Sequence, residues 1–199
     1  MTPTARTYRS TKERRQEIIQ ATIAALAVHG YAATSFSRIC QDAGFSSTRM
    51  ISYHFADKAA LMGAVVEHVV KDAGAVMVPA MDTAENCRDK LAAYVGANLR
   101  FLAQNRLAAR AVIEIIRNAP RTDNELREDT SVFLLSVLLT QGQQMGEFRA
   151  FDTLVMARSI RAVIDAFATA MPSSPTAAEA AITEIINLFD RATRQGEST

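Results

Sequence analysis

Apolar side chains recur along this chain at the three- and four-residue spacing of helices. From about residue 11, Ile18, Ile19, Thr22, Ile23, Ala25 and Leu26 form a broad apolar face, and Gly30 closes that helix. Over residues 34–61 the pattern predicts two short helices around a tight turn, then the start of a longer helix. Thr34 or Ser35 can cap the first of these, where a side-chain oxygen accepts from exposed backbone N–H groups. Phe36, Ile39, Cys40 and Ala43 give it one apolar face. Gly44 stops it in a left-handed conformation that is cheap only without a Cβ, and Phe45 pins the turn to the core. Ser46, Ser47 and Thr48 offer the next cap, ahead of a second helix with Met50, Ile51, Tyr53 and Phe55. Asp57 caps the longer helix, whose apolar positions run through Val65, Val66, Val69 and Val70 toward Pro79, a boundary or a kink.

Five or six further helices are predicted beyond it, with no strand signal, placed at about 84–104, 106–118, 124–145, 152–170 and 176–194. Gly146 and Phe148 fall in a connection, MPSSPT separates the last two helices, and Thr176 with Glu179 has the spacing of a capping box. The predicted fold class is therefore all-α. It comprises an N-terminal unit over residues 1–60 and a larger helical unit over 61–199, joined by the long helix. Residues 1–10, small, polar and basic, read as disordered.

Composition agrees and narrows the field. About half of the 199 residues are hydrophobic and 22% are charged, as in ordinary globular proteins. No apolar run approaches the roughly 20 residues of a membrane span, and the basic N-terminus leads into no signal core. A cytoplasmic protein with no membrane partner is expected. Cys40 and Cys87 stand far apart, which argues for two reduced thiols and against a disulfide framework or zinc finger. His29 and His68 read as helix-surface or packing residues, because no second His or Cys completes a metal site. No metal and no cofactor are expected. The net charge of +1 hides an asymmetry, with a basic surplus of four over residues 1–61 and an acidic surplus of three beyond. A polyanion site belongs at the N-terminal end.

A helix, a short Gly-containing turn and a polar-tipped second helix describe a helix-turn-helix reader of the DNA major groove. Several pieces in that order resemble the TetR family of bacterial one-component transcriptional regulators. They are Gly30-Tyr31, Thr34-Ser35, Ile39, Ala43-Gly44-Phe45-Ser46, and Tyr53-His54-Phe55 with Lys58 and Leu61. The resemblance covers about the first 60 residues and, more loosely, the GEFRAFD step before the last two helices. One departure stands out. Between Gly44 and Tyr53 the chain has one residue more than the commonest family pattern, and Ser52 replaces the first tyrosine of a Tyr-Tyr-His-Phe block. Assignments within 47–52 can shift by one position, a rotation of about 100° around a helix.

The resemblance and the chemistry together put Ser35, Ser46, Ser47, Thr48, Arg49, Ser52, Tyr53, His54 and Lys58 at double-stranded operator DNA. The hydroxyls suit phosphates or base edges, and Arg49 alone in the segment can grip guanine O6/N7 bidentately. Tyr53 and His54 match family positions on the DNA backbone, and Lys58 suits a phosphate. Arg6, Arg9 and Lys12 form an arm within reach of a flanking phosphate or the minor groove. Phe36, Ile39, Ala43, Phe45, Ile51 and Phe55 are expected to form the core of the three-helix unit, and Cys40 is expected to be a small hydrophobe.

The resemblance further implies that the second unit dimerises and holds a small-molecule effector. Dimerisation also follows from reading two half-sites. The stripes Ile160, Val163, Ile164, Phe167 and Ile182, Ile185, Ile186, Phe189 on the last two helices are candidates for half of an intermolecular four-helix bundle; the alternative is that they pack on their own domain. Polar residues amid apolar faces nominate an effector pocket: Tyr94, Asn98, Glu114, Arg117 and Asp165, with Phe101 and Phe133 as walls. The expected function is a dimeric repressor released from its operator by an inducer. A ligand-independent DNA-binding adaptor is the alternative. A helical enzyme finds little support, since GxSxG, a phosphate-binding Gly loop and HExxH are all missing.

Overall fold

Helix caps set the element boundaries in the computed structural model, which describes residues 10–119 and 124–196. The helices are α1 (Thr11–Ala33), α2 (Phe36–Ala43), α3 (Thr48–His54), α4 (Lys58–Asp82), α5 (Cys87–Gln104), α6 (Arg106–Asn118), α7 (Asn124–Gln144), α8 (Thr153–Ala170) and α9 (Pro175–Thr193). The only extended pairing among the described residues is an isolated bridge between Phe148 and Arg194. The expected disordered segment, with Arg6 and Arg9, falls almost wholly outside the described residues; Ser10, its last residue, is described. Ser10 opens α1 with a capping box: its Oγ accepts the Glu13 N–H, and the Glu13 carboxylate accepts the Ser10 N–H at 2.8 Å. Ser35, Ser47 and Asp57 cap α2, α3 and α4 by accepting the N–H groups of Arg38, Arg49 and Ala60. Thr34 is fully buried instead, its hydroxyl donating to the Gly30 carbonyl at 2.7 Å.

At Gly30 the backbone leaves helical geometry, with φ 76° and ψ 173°, and α1 resumes for one more turn to Ala33. At Gly44 φ is 66°, and the N–H groups of Gly44 and Phe45 both donate to the Cys40 carbonyl. That left-handed residue reverses the chain between α2 and α3 at little steric cost. Ile18, Ile19, Leu26, Ile39, Ile51 and Leu61 meet beneath it, each essentially without solvent contact. Phe36 and Phe45 pack partly buried against this cluster, and Phe55 is buried within it. Ala43 departs from expectation and is exposed, because the turn at Gly44 carries the end of α2 off the core.

The core of the N-terminal unit does not stop at α4. Phe101 of α5 and Ala111 and Ile115 of α6 belong to the same cluster, so apolar packing is continuous into the second unit. α4 itself crosses between them, passing the expected division near residue 60 within its first turn and running through Pro79 to Asp82. α5 is the central helix of the second unit, with α4, α6, α7, α8 and α9 all packed on it.

Of the two alternatives for the last helices, packing on their own domain accounts for half of each stripe. Ile160, Ile164, Ile182 and Phe189 lie in the core of their own domain, at 0–5% exposure, and Val163, Phe167, Ile185 and Ile186 are half-buried against that core. The buried half of each stripe is thus taken up by α5 and its neighbours, while Val163, Phe167, Ile185 and Ile186 stay partly accessible. The outward faces carry Leu154, Val155, Ala162 and Ala166 on α8, and Ala177, Ala180 and Leu188 on α9. The Thr176–Glu179 capping box is not formed. α9 begins at Pro175 with Ser174 as its cap, since proline's fixed φ and missing N–H suit the first helical position. Glu179 pairs across to Arg100 at 3.1 Å.

Candidate nucleic-acid interface and internal cavity

α3 is anchored by Ile51, fully buried, and by Met50 and Phe55, so its opposite face must look outward. Thr48, Arg49, Ser52 and Tyr53 are all exposed there, with Ser46 and Ser47 exposed just ahead of the helix and Ser35 exposed at the start of α2. Arg49, Ser52 and Tyr53 stand at i, i+3 and i+4, and therefore share one face. The additional residue before Tyr53 is thus accommodated with Ser47 as cap and Arg49 in the first turn. Ser52 Oγ donates back to the Thr48 carbonyl at 3.3 Å, whereas the Arg49 guanidinium has no partner among the described residues.

Tyr53 is 79% exposed and stands edge-on to the His54 ring, 5.1 Å between centroids. Burial, and then Arg15 and Arg14, push the His54 imidazole below its ordinary pKa of 6.5, so it is neutral at neutral pH and acts there as a hydrogen-bonding group. Those two arginines on α1 were not singled out in the sequence, although the ERR run signals them. Arg15 lies over the Phe55 ring at 5.0 Å, and Arg14 pairs with Glu17. Lys58 is half-buried. Its Nζ donates to the Tyr31 carbonyl at 2.6 Å and lies 4.2 Å from the centre of the Tyr31 ring, and burial lowers its pKa. One of its three donors is thus committed to holding α4 on the end of α1. His29 bonds Asp42 at 2.8 Å and ties α1 to α2, while His68 meets Gln16 and Gln20 of α1 and Asp72 of its own helix.

The second unit contains a cavity of about 250 Å³ walled by α4, α5, α6, α7 and α8. Its lining is mostly apolar, including Val69, Met77, Phe101, Val112, Ile116 and Ile164, with Tyr94, Asn98, Ser131, Arg161 and Asp165 as the polar groups. Of the residues nominated from sequence, Tyr94, Asn98, Phe101 and Asp165 line it. Phe133 does not; it points outward from α7, 62% exposed. Glu114 and Arg117 line a separate groove on the far side of α6. Arg161 was missed, since an Arg–Asp pair four residues apart on a helix reads as a solvated surface pair. It donates to Asp165 at 2.8 Å and to the Tyr94 hydroxyl at 3.4 Å. Burial raises the Asp165 pKa, and Arg161 opposes that rise. Asn98 donates to the Tyr94 carbonyl at 2.8 Å.

α6 connects this cavity to the N-terminal unit. Val112, Ile113 and Ile116 face the cavity, while Glu114 on the same helix accepts the Tyr31 N–H at 3.1 Å, beside the break at Gly30. Tyr31 is therefore held at its N–H by α6 and at its carbonyl by α4.

The comparisons agree with this architecture. The sequence model of the tetR family of bacterial regulatory proteins matches residues 18–65. No curated protein matches the chain at a significant level. Among solved structures, a tetR-family regulatory protein from Rhodococcus RHA1 is similar with a TM-score of 0.80 at 20% identity, over 95% of this chain and 100% of that one. The ketosteroid transcriptional regulator KstR2 of Mycobacterium tuberculosis gives 0.76 at 19%, over 94% and 98%. A TetR family transcription regulator from Marinobacter aquaeolei VT8 gives 0.74 at 19%, over 93% and 97%. At such identities the likeness shows a shared fold. The family match covers residues 18–65, from within α1 into the start of α4, so on a helix-turn-helix with its polar face outward this segment is similar to the DNA-binding unit of the tetR family.

Proposed function

We propose that the protein is a dimeric repressor whose hold on its operator is released when a small molecule fills the cavity between α4 and α8. In this reading residues 1–60 read DNA and residues 61–199 dimerise and sense the effector. The observation that carries it is the cavity itself, apolar with a few polar anchors, and walled by the two helices, α4 and α6, that grip Tyr31. An effector favouring one arrangement of those helices shifts the population of DNA-reading conformers; one with equal affinity for both would do nothing. Ser35, Ser46, Ser47, Thr48, Arg49, Ser52, Tyr53, His54 and Lys58 face the operator in this reading. Dimerisation through the outward faces of α8 and α9 is supported by the exposure of Val155 (60%) and Leu188 (48%) there.

A cavity-filling variant tests the reading. The half-buried Ala73 lines the cavity from α4, and Ala73→Phe places a ring inside it. Gel shifts on DNA from upstream of the protein's own gene, challenged with a panel of small apolar compounds, should identify one that releases the wild-type protein. Ala73→Phe should keep its DNA affinity and lose the response. Release of the filled variant by the same compound would contradict the effector reading, and indifference of the wild type to every compound would favour a ligand-independent binder.

A further inference from the structure

Across α6 from the cavity lies a second hollow of about 270 Å³, lined by Arg106, Arg110, Ile113, Glu114, Arg117 and residues of the α8 end, Ala168, Thr169 and Met171. Arg106, Arg110 and Arg117 fall on one face of α6, spaced about 6 Å and about 10 Å apart along its axis. Each guanidinium is permanently charged. Arg106 donates to the carbonyls of Met171 and Pro172, but Arg110 and Arg117 are exposed and have no ion pair or hydrogen bond among the described residues. The one carboxylate in the hollow, that of Glu114, accepts from the Tyr31 N–H and from Asn118. The hollow is therefore cationic, and its charge is unanswered among the described residues.

Its position gives that charge a use. Ile113 and Ala168 line both this hollow and the apolar cavity, so the two spaces meet across a shared wall. One is apolar and suits a hydrocarbon body; the other offers planar donors that suit phosphate oxygens. We propose that the arginine face of α6 binds the phosphate end of an amphipathic effector whose apolar part occupies the cavity. This rests on the cavity being the effector site. Arg110 and Arg117 stand four residues before and three after Glu114, so a bound phosphate lies within a turn of the carboxylate that holds Tyr31. The head of the ligand thereby acts on the contact between the two units.

Calorimetric titration of the full chain with three probes, 1-octanol, mono-octyl phosphate below its micellar concentration and inorganic phosphate, tests this. The wild type should bind octyl phosphate at least tenfold more tightly than octanol, and more tightly than inorganic phosphate. In the Arg110→Gln/Arg117→Gln double variant octanol affinity should be unchanged, which reports an intact cavity, while octyl phosphate should fall to the octanol level. Equal affinity for octanol and octyl phosphate, or an unaltered octyl phosphate affinity in the variant, overturns the arginine site and leaves the cavity reading standing. Inorganic phosphate binding as tightly as octyl phosphate would separate the two spaces and overturn the joint site. Failure of octyl phosphate and octanol alike to bind removes the cavity reading and this proposal together. A variant that loses DNA affinity without ligand, yet keeps octyl phosphate, would assign the arginines to DNA.

Discussion

Arg49 shows how much depends on one side chain and its neighbours. Its backbone N–H is held by the Ser47 cap at 3.1 Å, which fixes where on α3 the residue starts, and its guanidinium is left exposed. A bidentate guanine contact discriminates between bases by about 1–3 kcal/mol. Arg49→Ala should therefore cost the operator complex roughly that amount while changing affinity for random DNA much less, read as two binding curves at one salt concentration. Equal losses on both would make Arg49 a phosphate contact. His54 and Lys58 illustrate the opposite case. Their charge or donors are modulated by burial and by Arg15, Arg14 and Tyr31, none of which adjacency in sequence would pair with them.

Among the elements, the α2–α3 turn concentrates the local signals. A Cβ at Gly44 would meet nothing within 4 Å, so a substitution there is opposed by backbone conformation alone. Gly44→Ala should destabilise the fold by about 1–2 kcal/mol, visible as a lower urea midpoint with an unchanged slope. Such signals made the helices legible in the sequence: periodicity located them, and Ser47, Asp57 and Gly44 marked their ends. What periodicity cannot state is the partner of an apolar face. Ile160, Ile164, Ile182 and Phe189 form regular stripes that suit a partner chain or their own domain equally, because a stripe carries no label for the surface that covers it, and they are buried by their own domain. The cavity was half legible for a related reason. Tyr94, Asn98 and Asp165 betray themselves as polar groups on apolar faces, whereas Glu114 and Arg117 share that pattern but turn to the other side of α6.

For the whole molecule, the continuous packing from α1 through α6 means that the helix-turn-helix and the walls of the cavity share one core. The proposed dimer uses the outward faces of α8 and α9, where Val155 and Leu188 are exposed. A charge in the middle of an apolar interface is costly to desolvate, so Leu188→Glu should yield a monomer in sedimentation at micromolar concentration, with secondary structure unchanged. It should also weaken operator binding, since one recognition helix then acts alone. A dimer that survives this substitution would place the interface elsewhere. The central claim, that α3 reads a defined sequence, is tested most directly by fluorescence anisotropy. Purified protein is titrated into a labelled duplex from upstream of its own gene and into a random duplex of equal length at the same salt. The account predicts a preference of about 10³-fold or more that shrinks in Arg49→Ala; equal affinity for the two duplexes in the wild-type protein would contradict it.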